Sequence, residues 1–209
     1  VGAAGEGRLA NVAAALLLGG ASQRMGRDKA HVELAGEAAA TRSARRLAAV
    51  FDDVLLVGGD PPPGAPGRRV ADVDGPRCAL RGLVSALAAA RAERVLVLAT
   101  DLPFASEALW LALVAWPEAD VVAPRDAHGP QPLCAVYRRE PVLARARARL
   151  AAGSRLALRD LLAELELGVL PDAVQRALDP EGAALINVNT PEELSRAQAQ
   201  LQRQRPAAE

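Results

Sequence analysis

Short apolar runs alternate with amphipathic stretches along the chain, and that rhythm predicts an α/β fold. Residues 12–18 form a continuous apolar run halted by Gly19-Gly20, which reads as a buried central strand feeding a glycine-rich loop. A helix is predicted over 38–50, with Ala40, Ala44, Leu47 and Ala48 on one face and Arg42, Arg45 and Arg46 elsewhere. Residues 54–57 are a second strand, and the Pro/Gly-rich stretch 60–67 is loop. Beyond a short strand at 69–71, the pattern predicts a helix over 79–92, interrupted early by Gly82. Residues 94–99 are the clearest strand, followed at once by Thr100-Asp101-Leu102-Pro103. Ser106 is placed to cap a helix reaching about Ala115. Residues 121–123 read as a strand, 125–130 as a polar loop and 133–137 as an edge or crossing strand. Helices at 141–151 and 156–164 flank Gly153-Ser154. A late strand at 184–188 leads to Thr190-Pro191, which heads a last helix.

Strands and helices alternating at this spacing imply a mainly parallel sheet with helices on both faces. The expected organisation is a flexible lead-in at 1–11, one domain over 12–203 and a polar tail at 204–209. Ligands in such folds bind beyond the carboxyl ends of the strands. The polar groups of interest fall there: residues 19–29, Asp72, Asp101, Asn187 and Asn189.

Composition narrows the function. Aromatic residues are only 2% of the chain, too few for a stacking platform for single-stranded nucleic acid. Basic and acidic residues number 25 each, so no global positive field draws in nucleic acid or an anionic membrane. No apolar run is long enough to span a bilayer and no signal-peptide pattern opens the sequence, which leads us to expect a cytoplasmic protein. Cys78 and Cys134 have no CxxC partner and read as small buried hydrophobes. The arginine clusters 42/45/46 and 145/147/149 read as solvated helix faces.

Residues 16–30, LLLGGASQRMGRDKA, carry the strongest chemical signal. Adjacent glycines after a strand let the backbone approach an anion, and Ser22 adds a hydroxyl donor. Arg24 brings a planar bidentate cation and Lys29 a mobile point charge. Asp28 stands beside Lys29 and can orient it. Neither a Walker A pattern nor GxGxxG is present, so a P-loop or dinucleotide site is disfavoured. Together these residues suit a polyphosphate. Asp101, fixed at a strand end before Leu102-Pro103, suits a hard divalent cation, which takes one or two carboxylates plus phosphate oxygens.

The same stretch resembles the LxGGxSxRMGxDK signature of the molybdenum cofactor guanylyltransferases, with Leu17, Gly19, Gly20, Arg24, Met25, Gly26, Asp28 and Lys29 in register and Leu18 replacing a commoner alanine. The resemblance implies a Rossmann-like nucleotidyltransferase that transfers GMP from Mg²⁺-bound GTP to the phosphate of molybdopterin and releases pyrophosphate. It implies nucleotide contacts at residues 17–20, Ser22, Lys29, Asp72, Leu80, Gly82 and Asp101, with Asp101 as the Mg²⁺ ligand and Arg24, Lys29 and Asp101 as the catalytic set. Asp72 matches the family aspartate near guanine. Gln131, in a loop leading to Pro132-Leu133, and Asn187 and Asn189, in an Asn-x-Asn-Thr-Pro motif, correspond to the acceptor side. Contact with molybdenum cofactor delivery or acceptor proteins goes with such a product.

Two departures stand out. Where the family has Gly-Pro-Leu-x-Gly, this chain has Cys78-Ala79-Leu80-Arg81-Gly82, with Gly75-Pro76 just upstream as a shifted substitute. Val57 stands where some members carry an asparagine. Gly19, in place of the alanine of the related cytidylyltransferases, favours guanine. The alternatives are cytidylyl transfer to molybdopterin, nucleotidyl transfer to another small phosphate, or a nucleotide-binding protein without catalysis.

Overall fold

The computed structural model describes residues 8–19, 33–34, 36–117, 119–188 and the single positions 193, 195 and 199. Among them the elements run β1 Val12–Leu17, β2 Glu33–Leu34, β3 Glu37–Ala38, α1 Ala39–Val50, β4 Val54–Val57, β5 Arg68–Val70 and α2 Ala79–Ala89. Then follow β6 Arg94–Ala99, α3 Glu107–Ala115, β7 Val121–Ala123, β8 Arg125–Asp126, β9 Gly129–Pro130 and β10 Cys134–Arg138. The last are α4 Arg139–Ala152, α5 Leu158–Leu162, β11 Leu167–Val169 and α6 Asp172–Leu178.

Seven strands form one sheet in the order β11-β7-β10-β6-β1-β4-β5. Every pairing is parallel except the two made by β10, which runs antiparallel to both β6 and β7. The sheet is covered on both faces, and β1 shows how its sequence serves both. Val12, Ala14, Leu16 and Leu18 point into the core shared with α1 and α3, while Ala13, Ala15 and Leu17 point into the core shared with α2, α4 and α5. A period of two with apolar residues on both sides is why this strand carries no polar position.

Most predicted elements fall within a residue or two of their observed limits, and Ser106 caps α3 by accepting from the Leu109 N–H at 3.1 Å. Several expectations are corrected. Residues 133–137 lie inside the sheet, between β6 and β7, not at an edge. The 125–130 segment forms the small hairpin β8–β9. Gly82 does not interrupt α2; it packs against β1, where a Cβ would make ordinary contact with the Leu17 side chain at 3.4 Å. Residues 184–188 form turns, not a strand, held by the Asp179 carboxylate accepting from the Ala183 and Ala184 N–H groups. Within the lead-in, the Leu9 N–H donates to the Val50 carbonyl at 2.8 Å.

Two of the arginines expected on solvated faces are structural. Arg46 stacks over the Trp110 ring, 5.0 Å from its centroid, and joins α1 to α3. Burial pulls its pKa down, against the raising effect of Glu107. Arg149 is 9% exposed and binds the Glu164 carboxylate with two N–H groups, at 2.6 and 3.1 Å, and the Arg155 and Asp160 carbonyls at 2.8 and 2.7 Å. It ties α4 to the turns around α5. Arg149→Met keeps the aliphatic stem but strands those carbonyls, and is expected to lower unfolding stability by about 2 kcal/mol in urea titration. The hydrogen bond from Arg149 also holds Glu164 below the usual carboxylate range. That contribution is therefore present above the ordinary glutamate pKa and fades as pH falls through the lowered value.

Candidate functional site

The carboxyl ends of β1, β4, β5 and β6 lie side by side, because these strands are parallel neighbours. Short links stitch that edge together. The Leu17 carbonyl accepts from the Thr100 N–H at 3.3 Å and from Thr100 Oγ1 at 2.8 Å. Leu18 N–H donates to the Val57 carbonyl and Gly58 N–H to the Val70 carbonyl, both at 2.9 Å. Thr100 is buried, and its hydroxyl fixes the turn that presents Asp101 beside the end of β1. The threonine was present in the sequence pattern but carried no assigned role; a hydroxyl within an otherwise apolar strand end was the available signal.

The predicted residues distribute as follows. Leu17 and Leu18 bury their side chains, so their main chains form the edge. Among the described residues, no atom lies within 4 Å of a Cβ built at Gly19. Asp101 is half-buried, and its carbonyl accepts from the Val188 N–H at 2.9 Å, which brings the exposed Asn187 close to it. Asp72 lies two residues beyond β5 and is bound by Arg81, Nη2 to Oδ2, at 2.8 Å. Leu80 is wholly buried in the α2-side core and Gly82 sits against β1, so both shape the wall behind the edge with packing and main chain. Gln131 orders its own loop: its Oε1 accepts from the Leu133 N–H at 3.3 Å and its Nε2 donates to Asp126 at 3.4 Å. Gly20, Ser22, Arg24, Lys29 and Asn189, with Met25, Gly26, Asp28, Thr190 and Pro191, lie outside the described residues.

Cys78 is the N-cap of α2, Leu80 and Gly82 follow within its first turn and a half, and Gly75-Pro76 lies in the loop just ahead of the helix. The cysteines are free thiols; Cys134 is buried, which pushes its pKa up to about 12 and matches the hydrophobic role read for it. Tyr137, three residues further along β10 and in the core on the sheet's other face, is likewise raised by burial, and its hydroxyl donates to the Pro132 carbonyl at 2.6 Å.

No group of three or more His, Cys, Asp or Glu side chains able to cage a metal occurs among the described residues. A single carboxylate at a strand end, such as Asp101, nevertheless fits Mg²⁺, which keeps waters and substrate oxygens in most of its positions. At the far end of the same edge, a cleft of about 420 Å³ is lined by Arg125, Asp126, Asp172, Gln175 and Arg176. Gln175 clasps the Arg125 main chain from both sides, donating to its carbonyl at 2.7 Å and accepting from its N–H at 3.0 Å. No helix among the described residues is long and apolar enough to cross a membrane.

Comparison with known proteins gives these features a family. The model of the MobA-like NTP transferase domain matches residues 14–168. A protein of Chloroflexus aggregans named "Probable molybdenum cofactor guanylyltransferase" is 36% identical, over 89% of this chain and 93% of its own. The molybdenum cofactor guanylyltransferase of Desulfosudis oleivorans is 31% identical, over 88% and 93%. Among solved structures, molybdopterin-guanine dinucleotide biosynthesis protein A from Archaeoglobus fulgidus shares the fold, with a TM-score of 0.77 and 22% identity over 91% of this chain and 99% of that one. A family match across most of the chain, on a sheet whose carboxyl edge gathers Gly19, Asp72 and Asp101, means that this chain belongs to the MobA-like NTP transferase family.

Proposed function

We propose that the protein transfers GMP from GTP to the phosphate of molybdopterin, releasing pyrophosphate. The observation that carries this reading is the seam between β1 and β6, where Thr100 binds the Leu17 carbonyl and so sets Gly19 and Asp101 at adjacent strand ends. A triphosphate held over Gly19 would then lie next to Asp101, the carboxylate that would hold a divalent cation. Relatives named for this activity extend over nine tenths of the chain.

An oxygen of the molybdopterin phosphate attacks the α-phosphorus of GTP in line; the new P–O bond forms as the bond to the β-phosphate oxygen breaks, and pyrophosphate leaves. A phosphate monoester is largely ionised near neutrality, with a second pKa of about 6, so no strong general base is needed. Catalysis rests on alignment and on neutralising charge as it moves to the leaving group. Arg24 and Lys29 neutralise the β- and γ-phosphates, and main-chain N–H groups at Gly19 and Gly20 orient them. Asp101 holds Mg²⁺, which supplies further neutralisation when bound. Asp72 accepts from the N–H edge of guanine.

The direct test is to incubate the protein with molybdopterin, magnesium and α-labelled GTP or CTP, and to ask which label becomes attached. Transfer from GTP with release of pyrophosphate is expected. Transfer from CTP alone, or from neither, overturns the proposal. Gly19 offers a finer check, because the described protein leaves room for a methyl there. Gly19→Ala is expected to keep the wild-type unfolding temperature yet raise KM for GTP about tenfold, by crowding the ligand rather than the fold. An unchanged KM would show that the space above Gly19 is not the nucleotide's.

A further inference from the structure

The aspartate beyond β5 is gripped more closely than a turn aspartate needs. Its carboxylate rests on the main chain of Gly58, at the end of β4, where an added Cβ would stand 3.0 Å from Oδ2 and 3.2 Å from Oδ1. From the other side Arg81 reaches out of the first turn of α2: Nη2 donates to Oδ2 at 2.8 Å and Nη1 to the Gly75 carbonyl at 3.2 Å. Ser85, one turn further and 1% exposed, accepts from the Val73 N–H at 2.9 Å and donates to the Arg81 carbonyl at 2.8 Å. The 72–75 loop is therefore tied to α2 at three positions, Asp72 and Gly75 through the Arg81 side chain and Val73 through Ser85.

The two carboxylate oxygens are left unequal. Oδ2 takes the guanidinium. Oδ1 has Ser85 Oγ at 3.5 Å, but that hydroxyl has a single proton and a nearer acceptor in the Arg81 carbonyl. Oδ1 thus keeps its acceptor capacity while the guanidinium and Gly58 fix its direction. A base presenting adjacent ring and exocyclic N–H groups matches such an acceptor; one presenting a ring nitrogen lone pair is repelled by it. Holding the acceptor in place beforehand removes the ordering cost that a mobile aspartate would meet on binding.

We propose that Arg81, which stands at the variable position of the Leu80–Gly82 motif, sets base selectivity by positioning the Asp72 carboxylate for the paired N–H edge of guanine. This rests on the reading of Asp72 as the base contact. Arg81 itself does not touch the reacting atoms, so its loss weakens recognition and leaves the chemistry of phosphoryl attack alone.

The experiment compares GTP with inosine triphosphate, which lacks the exocyclic amine, in the full chain and in Asp72→Asn, Arg81→Met and Arg81→Gln. Arg81→Met is expected to raise KM for GTP about tenfold, with the loss falling on KM rather than kcat, and to bring the GTP/ITP ratio in kcat/KM close to that of Asp72→Asn. Adding Arg81→Met to Asp72→Asn should then cost little more. If Asp72→Asn loses discrimination while a folded Arg81→Met keeps it, the role given to Arg81 falls and the base contact stands. If Asp72→Asn itself keeps discrimination, the base contact is wrong and the role of Arg81 falls with it. Should Arg81→Met fail to fold, Arg81→Gln, which stays polar but is shorter and lacks the guanidinium that holds Asp72, is read by the same criteria.

Discussion

Lys29→Ala is expected to lower kcat for GMP transfer by about 10²–10³, the loss typical of removing one charge-stabilising donor from a transition state. An ammonium on a four-carbon stem can follow the β,γ-phosphates as they become pyrophosphate, whereas a guanidinium is bound to its planar fork. The composition makes the point testable in a second way. Lys29 is the one lysine in the sequence, and the other 24 of its 25 basic residues are arginine. An amine-selective reagent therefore has a single side chain to find. GTP with magnesium should protect that amine, and mass spectrometry of the labelled peptide would show it. Wild-type turnover in a folded Lys29→Ala, or labelling that GTP does not slow, would remove the lysine from the mechanism.

The second large effect is expected at Asp101. Asp101→Asn keeps the shape of the side chain and leaves the carbonyl that receives the Val188 N–H untouched, so the fold should survive with its unfolding midpoint within about 3 °C of wild type. Losing the negative charge removes the hard anionic oxygen that a magnesium ion requires. Transfer should fall by about 10²–10⁴, and the magnesium concentration giving half-maximal rate should rise in whatever activity is left. Chelation of divalent metal should silence the wild-type protein to a similar extent. An Asp101→Asn variant with a wild-type magnesium profile would place the cation elsewhere.

How much of this was legible in the sequence depended on whether a feature was local. The strands β1, β4 and β6 could be read almost to the residue, because each is a continuous apolar run closed by glycine or by the Thr-Asp-Leu-Pro turn. The position of β10 could not. Its order between β6 and β7 is decided by pairings such as Val136 with Leu96 and Val122, and nothing within Cys134–Arg138 encodes them. The 184–188 run misled because apolar content says nothing about hydrogen-bond partners; here Asp179 supplies those partners and a turn results. Leu167–Val169 escaped notice because a three-residue strand with a central glycine looks like loop. That glycine is where the Trp116 edge packs, and a Cβ would come within 2.8 Å of its indole nitrogen. Of the candidate site, Asp72, Asp101 and Gly19 were found by their positions after strands. Arg81 and Ser85 were not, since their contacts arise from one helical turn folding back onto the loop that precedes it.

The reversed strand has a last consequence, for the order in which the molecule is put together. On one side of the β6–β10 join, β1, β4, β5 and β6 come from residues 12–99; on the other, β7, β10 and β11 come from residues 121–169. The sheet is two consecutive lengths of chain zipped along five residue pairs, from Cys134 opposite Leu98 to Arg138 opposite Arg94. Emerging from the ribosome, the first length already carries Gly19 and Asp72, with Asp101 two residues past its end, while Gln131 and the cleft around Arg125 arrive only with the second. The strand ends that would take the nucleotide in the proposed function are written first, and β7, β10 and β11 are added to them along the β6 edge.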